Sequence, residues 1–263
     1  MAKASASKGS RHKLAVVTGS GTGIGQEIAL ALARTGFDIA LIARRHAPLA
    51  TTASRIKDLG RESIAVTADV TSERALALAC GSILKEFKRV DVLVNNAAVQ
   101  GPTMPVNEIS AEEWRSTIDI DLTGAFLCTK TFLPSLLRSK HGSIVNISSV
   151  AALRGVPLRT PYCAAKHGLI GFTKALAKEL GPQGVRVNVI CPGPVLSTAV
   201  EEVVEERSKR TGTPYRDLLH KTLRSQALGR PVTMDEVAAA VVFFASDAST
   251  GITGQILTVA GGD

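Results

Sequence analysis

Short apolar runs punctuate the chain and alternate with longer amphipathic stretches. Leu14–Val17, Ile39–Ile42, Ile64–Val66, Val92–Val94, Ile144–Ile147, Val185–Ile190 and Ile256–Val259 are brief, rich in β-branched residues and largely apolar. Runs of that kind suit strands covered on both faces, as in a parallel sheet. Between them, Gly25–Arg34, Ser72–Phe87 and Lys166–Leu180 carry apolar residues at helical spacing. The alternation predicts an α/β fold, a doubly wound parallel sheet of about seven strands with helices on both faces. No internal repeat, low-complexity linker or break in composition divides the chain. Residues 14–263 are therefore read as one domain and residues 1–13 as a flexible basic tail. The rhythm breaks once, at residues 197–228, a long charged stretch between the sixth strand and the last helix. Long excursions in compact domains are often functional. This one would lie beyond the carboxyl ends of the strands, where open α/β sheets bind ligands, and is expected to be a substrate lid.

Composition narrows the classes. With 263 residues and 45% hydrophobic content the chain can bury a sizeable core. No apolar stretch reaches the roughly 20 residues that span a bilayer, and no membrane association is expected. The N-terminal residues are basic and rich in Ser and Ala but have no apolar segment of a secretion signal. Cys80, Cys128, Cys163 and Cys191 are dispersed, with no CxxC pair and no nearby histidine cluster. That spacing predicts free thiols in a reducing cytoplasm and no metal site. The net charge of +8 invites a nucleic-acid partner. Yet Lys3, Lys8, Arg11 and Lys13 concentrate in the tail, and Arg207, Lys209 and Arg210 read as a solvated helix face. No nucleic acid is expected.

Chemistry enters after the first strand, in Thr18-Gly19-Ser20-Gly21-Thr22-Gly23-Ile24-Gly25. Glycines let the backbone turn sharply and approach a pyrophosphate, and the helix that follows offers free N–H groups and a positive dipole end. Further motifs follow in order. Asn95-Asn96-Ala97-Ala98 comes after strand four, Ser149 after strand five, and Tyr162-Cys163-Ala164-Ala165-Lys166 begins thirteen residues later. Pro192-Gly193 follows strand six, and Gly261-Gly262 the last strand. The glycine spacing is TGxxxGxG rather than GxGxxG. Together with the NNAG-like, Ser, YxxxK and PG motifs, it resembles the short-chain dehydrogenase/reductase family over Leu14 to Gly262, including its 3-oxoacyl-carrier-protein reductase-like members.

The resemblance implies a Rossmann-type fold and transfer of a hydride between a nicotinamide cofactor and a carbonyl or secondary-alcohol carbon. Tyr162 and Lys166 stand four apart and share a helix face. A free tyrosine titrates near pH 10, too high for efficient proton transfer near neutrality, and a neighbouring ammonium favours the phenolate. Ser149, at a strand end, can donate a hydrogen bond to the substrate oxygen. The resemblance assigns those three roles, and gives Lys166 a grip on the nicotinamide ribose. It places Gly19, Ser20, Thr22, Gly23, Ile24 and Gly25 at the phosphates, Asp69 and Val70 beside the adenine, and Asn96 and Ala97 along the ribose path. Pro192, Gly193 and Val195 would border the nicotinamide. The substrate-side candidates are Ser149, Ala151, Arg154, Arg159, Tyr162 and residues 197–228, with the two arginines able to pair with an anionic substrate.

Two positions depart from the family pattern. Ala98 stands where glycine is usual, and Asp121, seven residues after Trp114, stands where the family places a catalytic asparagine. An ionised Asp121 near Lys166 would hold that ammonium charged and offset the field on Tyr162; alternatively it points to the helix surface. Cofactor choice is read at the end of strand two. There Ala43 replaces the acid of the NAD-binding pattern and Arg44 and Arg45 follow, so NADP(H) is preferred, with NAD as the lesser option. Thr22 stands where many NADP-dependent relatives carry a basic residue. A small carbonyl or alcohol substrate and a homotetramer are expected, with helices around Glu112–Leu136 and Thr160–Leu180 at one interface and the C-terminal strand ending at Asp263 at another. The competing class is a cofactor-sensing regulator on the same fold, which would have no need of Ser149, Tyr162 and Lys166.

Overall fold

The computed structural model describes residues 12–139, 141–224 and 226–262. Of the tail read at residues 1–13, only His12 and Lys13 fall within them, and Asp263 lies outside. The strands are β1 (Leu14–Thr18), β2 (Asp38–Ala43), β3 (Ser63–Thr67), β4 (Val92–Asn95), β5 (Ser143–Ile147), β6 (Arg186–Pro192) and β7 (Ile256–Val259). They form one seven-stranded sheet in the order β3-β2-β1-β4-β5-β6-β7, every pairing parallel. The expected α/β architecture is what the chain adopts.

Strand periodicity explains the two cores. Ala15 and Val17 of β1 join one cluster with Val92 and Val94 of β4, while Leu14, Val16 and Leu93 join the other. Successive side chains point to opposite faces, so an uninterrupted apolar strand feeds both layers. Each fully buried aliphatic side chain contributes about 1.5–3 kcal/mol. Helices α1 (Gly23–Arg34), α2 (His46–Asp58) and α10 (Met234–Ala245) cover the first face. Helices α3 (Glu73–Phe87), α5 (Gly124–Arg138) and α7 (Thr160–Leu180) cover the second. The remaining helices are α4 (Ala111–Ile118), α6 (Ala151–Arg154), α8 (Thr198–Thr211) and α9 (Tyr215–Arg224).

Helix boundaries differ from the periodicity where local chemistry takes over. Helix α7 starts at Thr160, well before the Lys166 start suggested by apolar spacing, because Pro161 sits in its first turn, where a missing N–H costs nothing. Helix α3 is capped by Ser72, whose hydroxyl accepts from the Ala75 N–H. The Asp69 carboxylate accepts from both the N–H and the hydroxyl of Thr71. The helical region around Glu112–Leu136 is split by a π-helical turn at Asp119–Thr123. Such turns re-aim side chains and concentrate at functional sites.

The strand order reverses direction between β1 and β4, and the crevice outside their carboxyl ends is where open α/β sheets bind ligands. Residues 197–228 hold α8 and α9.

Candidate active site

A cavity of about 1140 Å³ opens at that crevice. It exceeds the roughly 300–1,000 Å³ of an ordinary small-ligand pocket and has room for two ligands. One end is the turn after β1. Gly19 has φ +66°, and a Cβ there would sit 2.9 Å from both the Ala97 Cα and the Asn96 Nδ2. A Cβ on Gly25 would overlap the Gly19 carbonyl oxygen and the Asn96 amide. Thr18 Oγ1 accepts from the N–H groups of Asn96 and Ala97, both at 3.0 Å, and Asn96 Nδ2 donates to the Thr18 carbonyl at 2.9 Å. The turn is thus fastened to the segment after β4 by the Thr18 hydroxyl and the Asn96 amide, and the first turn of α1 lies at the cavity wall.

Gly19, Thr22, Gly23, Ile24, Gly25, Arg44, Arg45, Asp69, Val70, Asn96, Ala97, Pro192, Gly193 and Val195 all border this cavity, with Gly21, which the sequence reading left out of the binding set. Ser20 does not. It is fully buried, its carbonyl accepts from Thr52 Oγ1 at 3.1 Å, and its hydroxyl has no partner among the described residues. The turn directs that side chain into the body, so Ser20 presents no hydroxyl to a ligand here. The Asp69 carboxyl is held below its usual range chiefly by the Thr71 N–H, with burial opposing.

At the other end, Ser149, Ala151, Arg154, Tyr162 and Lys166 border the cavity together. Ser149 stands just beyond β5, and its Oγ accepts from the Ala151 N–H at 3.1 Å. Lys166 is buried, one helical turn beyond Tyr162 on α7. Its Nζ donates to the Ile147 carbonyl at 3.2 Å and lies 5.7 Å from the Tyr162 ring centroid. The floor is stiffened by a buried polar chain: Asn95 Nδ2 donates to Asn146 Oδ1, and Asn146 Nδ2 donates to Thr173 Oγ1, each at 2.8 Å. Sequence reasoning missed this chain, although a polar Asn inside two strands of otherwise apolar character was a usable signal.

Asp121 does not border the cavity and does not point to the helix surface; it is buried behind Lys166. The π turn aims it inward. Its Oδ1 accepts from the Val99 N–H at 2.7 Å, and its Oδ2 lies 3.5 Å from Lys166 Nζ. Burial pushes this carboxyl up, with Lys166 pulling the other way.

Arg159 also corrects the expectation. It borders the cavity but is neither a surface arginine nor a free fork for an anionic substrate. One nitrogen, Nη2, donates to both the carbonyl and the Oε1 of Gln100, at 2.7 and 2.6 Å, and the guanidinium carbon sits 4.7 Å from the Tyr162 ring centroid. Gln100 was not anticipated, because nothing in its local sequence marks it as an anchor.

Among the described residues no group of His, Cys, Asp or Glu side chains could hold a metal, and no helix is long and apolar enough to cross a membrane. The chain matches the family model described as enoyl-(acyl carrier protein) reductase over residues 19–263. It is 38% identical to a 3-oxoacyl-[acyl-carrier-protein] reductase of a Synechocystis species, over 95% of this chain and 96% of that one. It is 36% identical to the short-chain reductase protein NovJ of Streptomyces niveus, over 96% and 94%. Among solved structures it resembles an NAD⁺-bound xylitol dehydrogenase, with TM-score 0.92, 31% identity and coverage of 95% and 98%. A variant actinorhodin polyketide ketoreductase with NADPH gives TM-score 0.90, 34% identity and coverage of 95% and 96%.

Proposed function

The chain belongs to the short-chain dehydrogenase/reductase family, and from that premise we propose that its cavity reduces a ketone carbonyl, or oxidises the matching secondary alcohol, with NADP(H) as the preferred cofactor. It is an oxidoreductase of C=O and CH–OH groups rather than a sensor on the same fold. The observation that carries our reading of the site is the convergence of Ser149, Tyr162 and Lys166 at one end of a cavity whose other end is the glycine turn.

The residues present fit such a cofactor. The glycine turn keeps side chains away from the start of α1, where unpaired N–H groups and the dipole favour phosphate. Arg44 and Arg45 border the cavity beyond β2, where an acid would repel a 2′-phosphate and a guanidinium can pair with it. Bound there, the cofactor supplies or accepts the hydride. In reduction, Tyr162 Oη gives its proton to the substrate oxygen as charge develops on it, and Ser149 Oγ donates a hydrogen bond to the same oxygen. Lys166, buried against the Ile147 carbonyl, holds positive charge beside the phenol, which stabilises the phenolate left as the proton departs; a proton drawn from solvent then restores the phenol for the next turnover. Oxidation runs the same proton path in reverse, with the Tyr162 phenolate as base.

The relatives named 3-oxoacyl reductases and polyketide ketoreductases favour a 3-oxoacyl-type ketone, with α8 and α9 as the substrate lid. The xylitol and carveol dehydrogenase neighbours favour a small polyol or cyclic alcohol as the second reading. Exposed Phe126 of α5 packs edge-on against Phe172 of α7, an apolar face suited to the proposed homotetramer, and the four free thiols suit a cytoplasmic protein. The test is NADPH consumption with a panel of 3-oxoacyl thioesters, cyclic ketones and ketoses. Tyr162→Phe is expected to lower kcat by about 10²–10⁴-fold with little change in NADPH affinity. Activity within a few-fold of the parent would remove Tyr162 from the reaction.

A further inference from the structure

Two cations lie against the Tyr162 ring: Arg159, at the N-cap of α7 just before it, and Lys166, one helical turn after it. Lys166 shares its charge with the buried Asp121 carboxylate 3.5 Å away. Taken alone, that pair carries no net charge and leaves the phenol a weaker positive field than a free ammonium would. We propose that Arg159 is a positioning residue whose guanidinium, stacked on the Tyr162 ring, replaces the positive field that Asp121 takes from Lys166. The proposal rests on the reading of Tyr162 as the proton-transfer group.

Arg159 is held for this purpose by more than its own length. It is 4% exposed. The preceding residue, Leu158, has φ +69°, a conformation that costs a non-glycine residue about 1–3 kcal/mol and persists only where surrounding contacts impose it. The Leu158 carbonyl accepts from the Met104 N–H at 3.0 Å, and the Arg159 carbonyl accepts from the Cys163 N–H at 2.9 Å. With Nη2 bound to Gln100, the guanidinium is turned inward onto the ring, within the roughly 6 Å over which a cation and an aromatic face attract. Burial draws the Arg159 guanidinium down, while Tyr162, Cys163 and Asp121 oppose it. A guanidinium stays protonated in proteins, so the charge is permanent. Two cations against one carboxylate leave one net positive charge at the ring. The remaining charged groups that line the cavity are Arg44, Arg45 and Asp69, beyond β2 and β3, and Arg154, Glu202, Arg207 and Lys221; all are exposed or half-buried, so solvent screens them. Cys163 and Cys191 are the neighbouring thiols.

The chain has two tyrosines, so in a Tyr215→Phe background the ultraviolet phenolate signal of the cofactor-free protein reports Tyr162 alone. Arg159→Gln is expected to raise the Tyr162 titration midpoint by about one unit, and Asp121→Asn to lower it by about as much. The double variant should return close to the start. Arg159→Lys, which keeps the charge and loses the planar stack, should shift it less than the glutamine variant. The base limb of the alcohol-oxidation profile should follow each shift. If the glutamine variant does not fold, the lysine and Asp121→Asn variants make the same comparison. A midpoint that moves while the oxidation limb stays put would leave the charge pair standing and sink the reading of Tyr162. A midpoint unmoved by Arg159→Gln, with KM raised for anionic but not neutral ketones, would overturn the proposal and make Arg159 a substrate anchor. A midpoint unmoved by Asp121→Asn would overturn it too, since the carboxyl would then be neutral and need no compensation.

Discussion

The turn after β1 and the helix pair α8–α9 border one cavity but are fastened to the body in opposite ways. The turn is held by hydrogen bonds to its own backbone: the Gly19 N–H donates to the Ile42 carbonyl at 2.7 Å, and Asn96 Nδ2 donates to the Thr18 and Gly19 carbonyls. Thr18 and Asn96 tie it to β4, and glycines at 19 and 25 leave no space for any side chain. The helix pair is held by side chains: Val204 and Leu218 are buried beneath it, and an ion pair from Arg210 reaches Glu108 at 2.7 Å. Such an exposed pair is worth at most about 1 kcal/mol. A backbone-defined surface has one shape and suits a ligand part that never varies, such as a pyrophosphate. A surface resting on a few apolar contacts can open locally at low cost, which would suit a ligand part that varies in shape.

Four substitutions would break or sharpen that contrast. Gly25→Val drives a side chain into the Gly19 carbonyl and the Asn96 amide. Overpacking costs about 1–3 kcal/mol, so the NADPH Kd should rise about 10- to 100-fold, read by fluorescence titration. An unchanged Kd would mean that the turn does not hold the cofactor. Arg44→Asp leaves the turn intact and replaces a guanidinium with a repelling carboxylate. The ratio of kcat/KM for NADPH over NADH should fall about tenfold or more, and a ratio that stays put would take Arg44 out of cofactor choice.

On the side of α8 and α9, Leu218→Ser removes one of the buried contacts of α9. Substrate KM should rise a few-fold while the NADPH Kd and the Tm hardly move, because the loss is confined to a locally opening unit. An equal loss of cofactor affinity would show that the two regions are not separable.

The smallest effect concerns stability. Burial raises the folded-state pKa of Asp121, so its contribution is present below the unfolded value near pH 4 and is lost as pH climbs through the raised folded value. Asp121→Asn has no such loss. The Tm of Asp121→Asn minus that of the parent should therefore become more positive between about pH 4 and neutrality. A difference that narrows over that window would count against the burial penalty.

The five inner strands were legible in the sequence because burial on both faces leaves a local record, an unbroken apolar run; the half-buried edge strands β3 and β7 showed as short β-branched runs, and the glycine turn was legible because its demand for missing side chains is written at the positions themselves. That Tyr162 and Lys166 share a face followed from their helical spacing, and their roles from the family resemblance. The direction of Asp121 was decided by the π turn, that of Arg159 by the strained Leu158 and the reach of Gln100, and the concealment of Ser20 by the fold of the turn around it. Periodicity reports that a residue has a buried side but carries no information about what lies opposite. For charged side chains the partner opposite decides the outcome, since an isolated buried charge is costly and a paired one is tolerated. Tertiary structure supplied those partners, Lys166 for Asp121 and Gln100 for Arg159, from segments far apart along the chain.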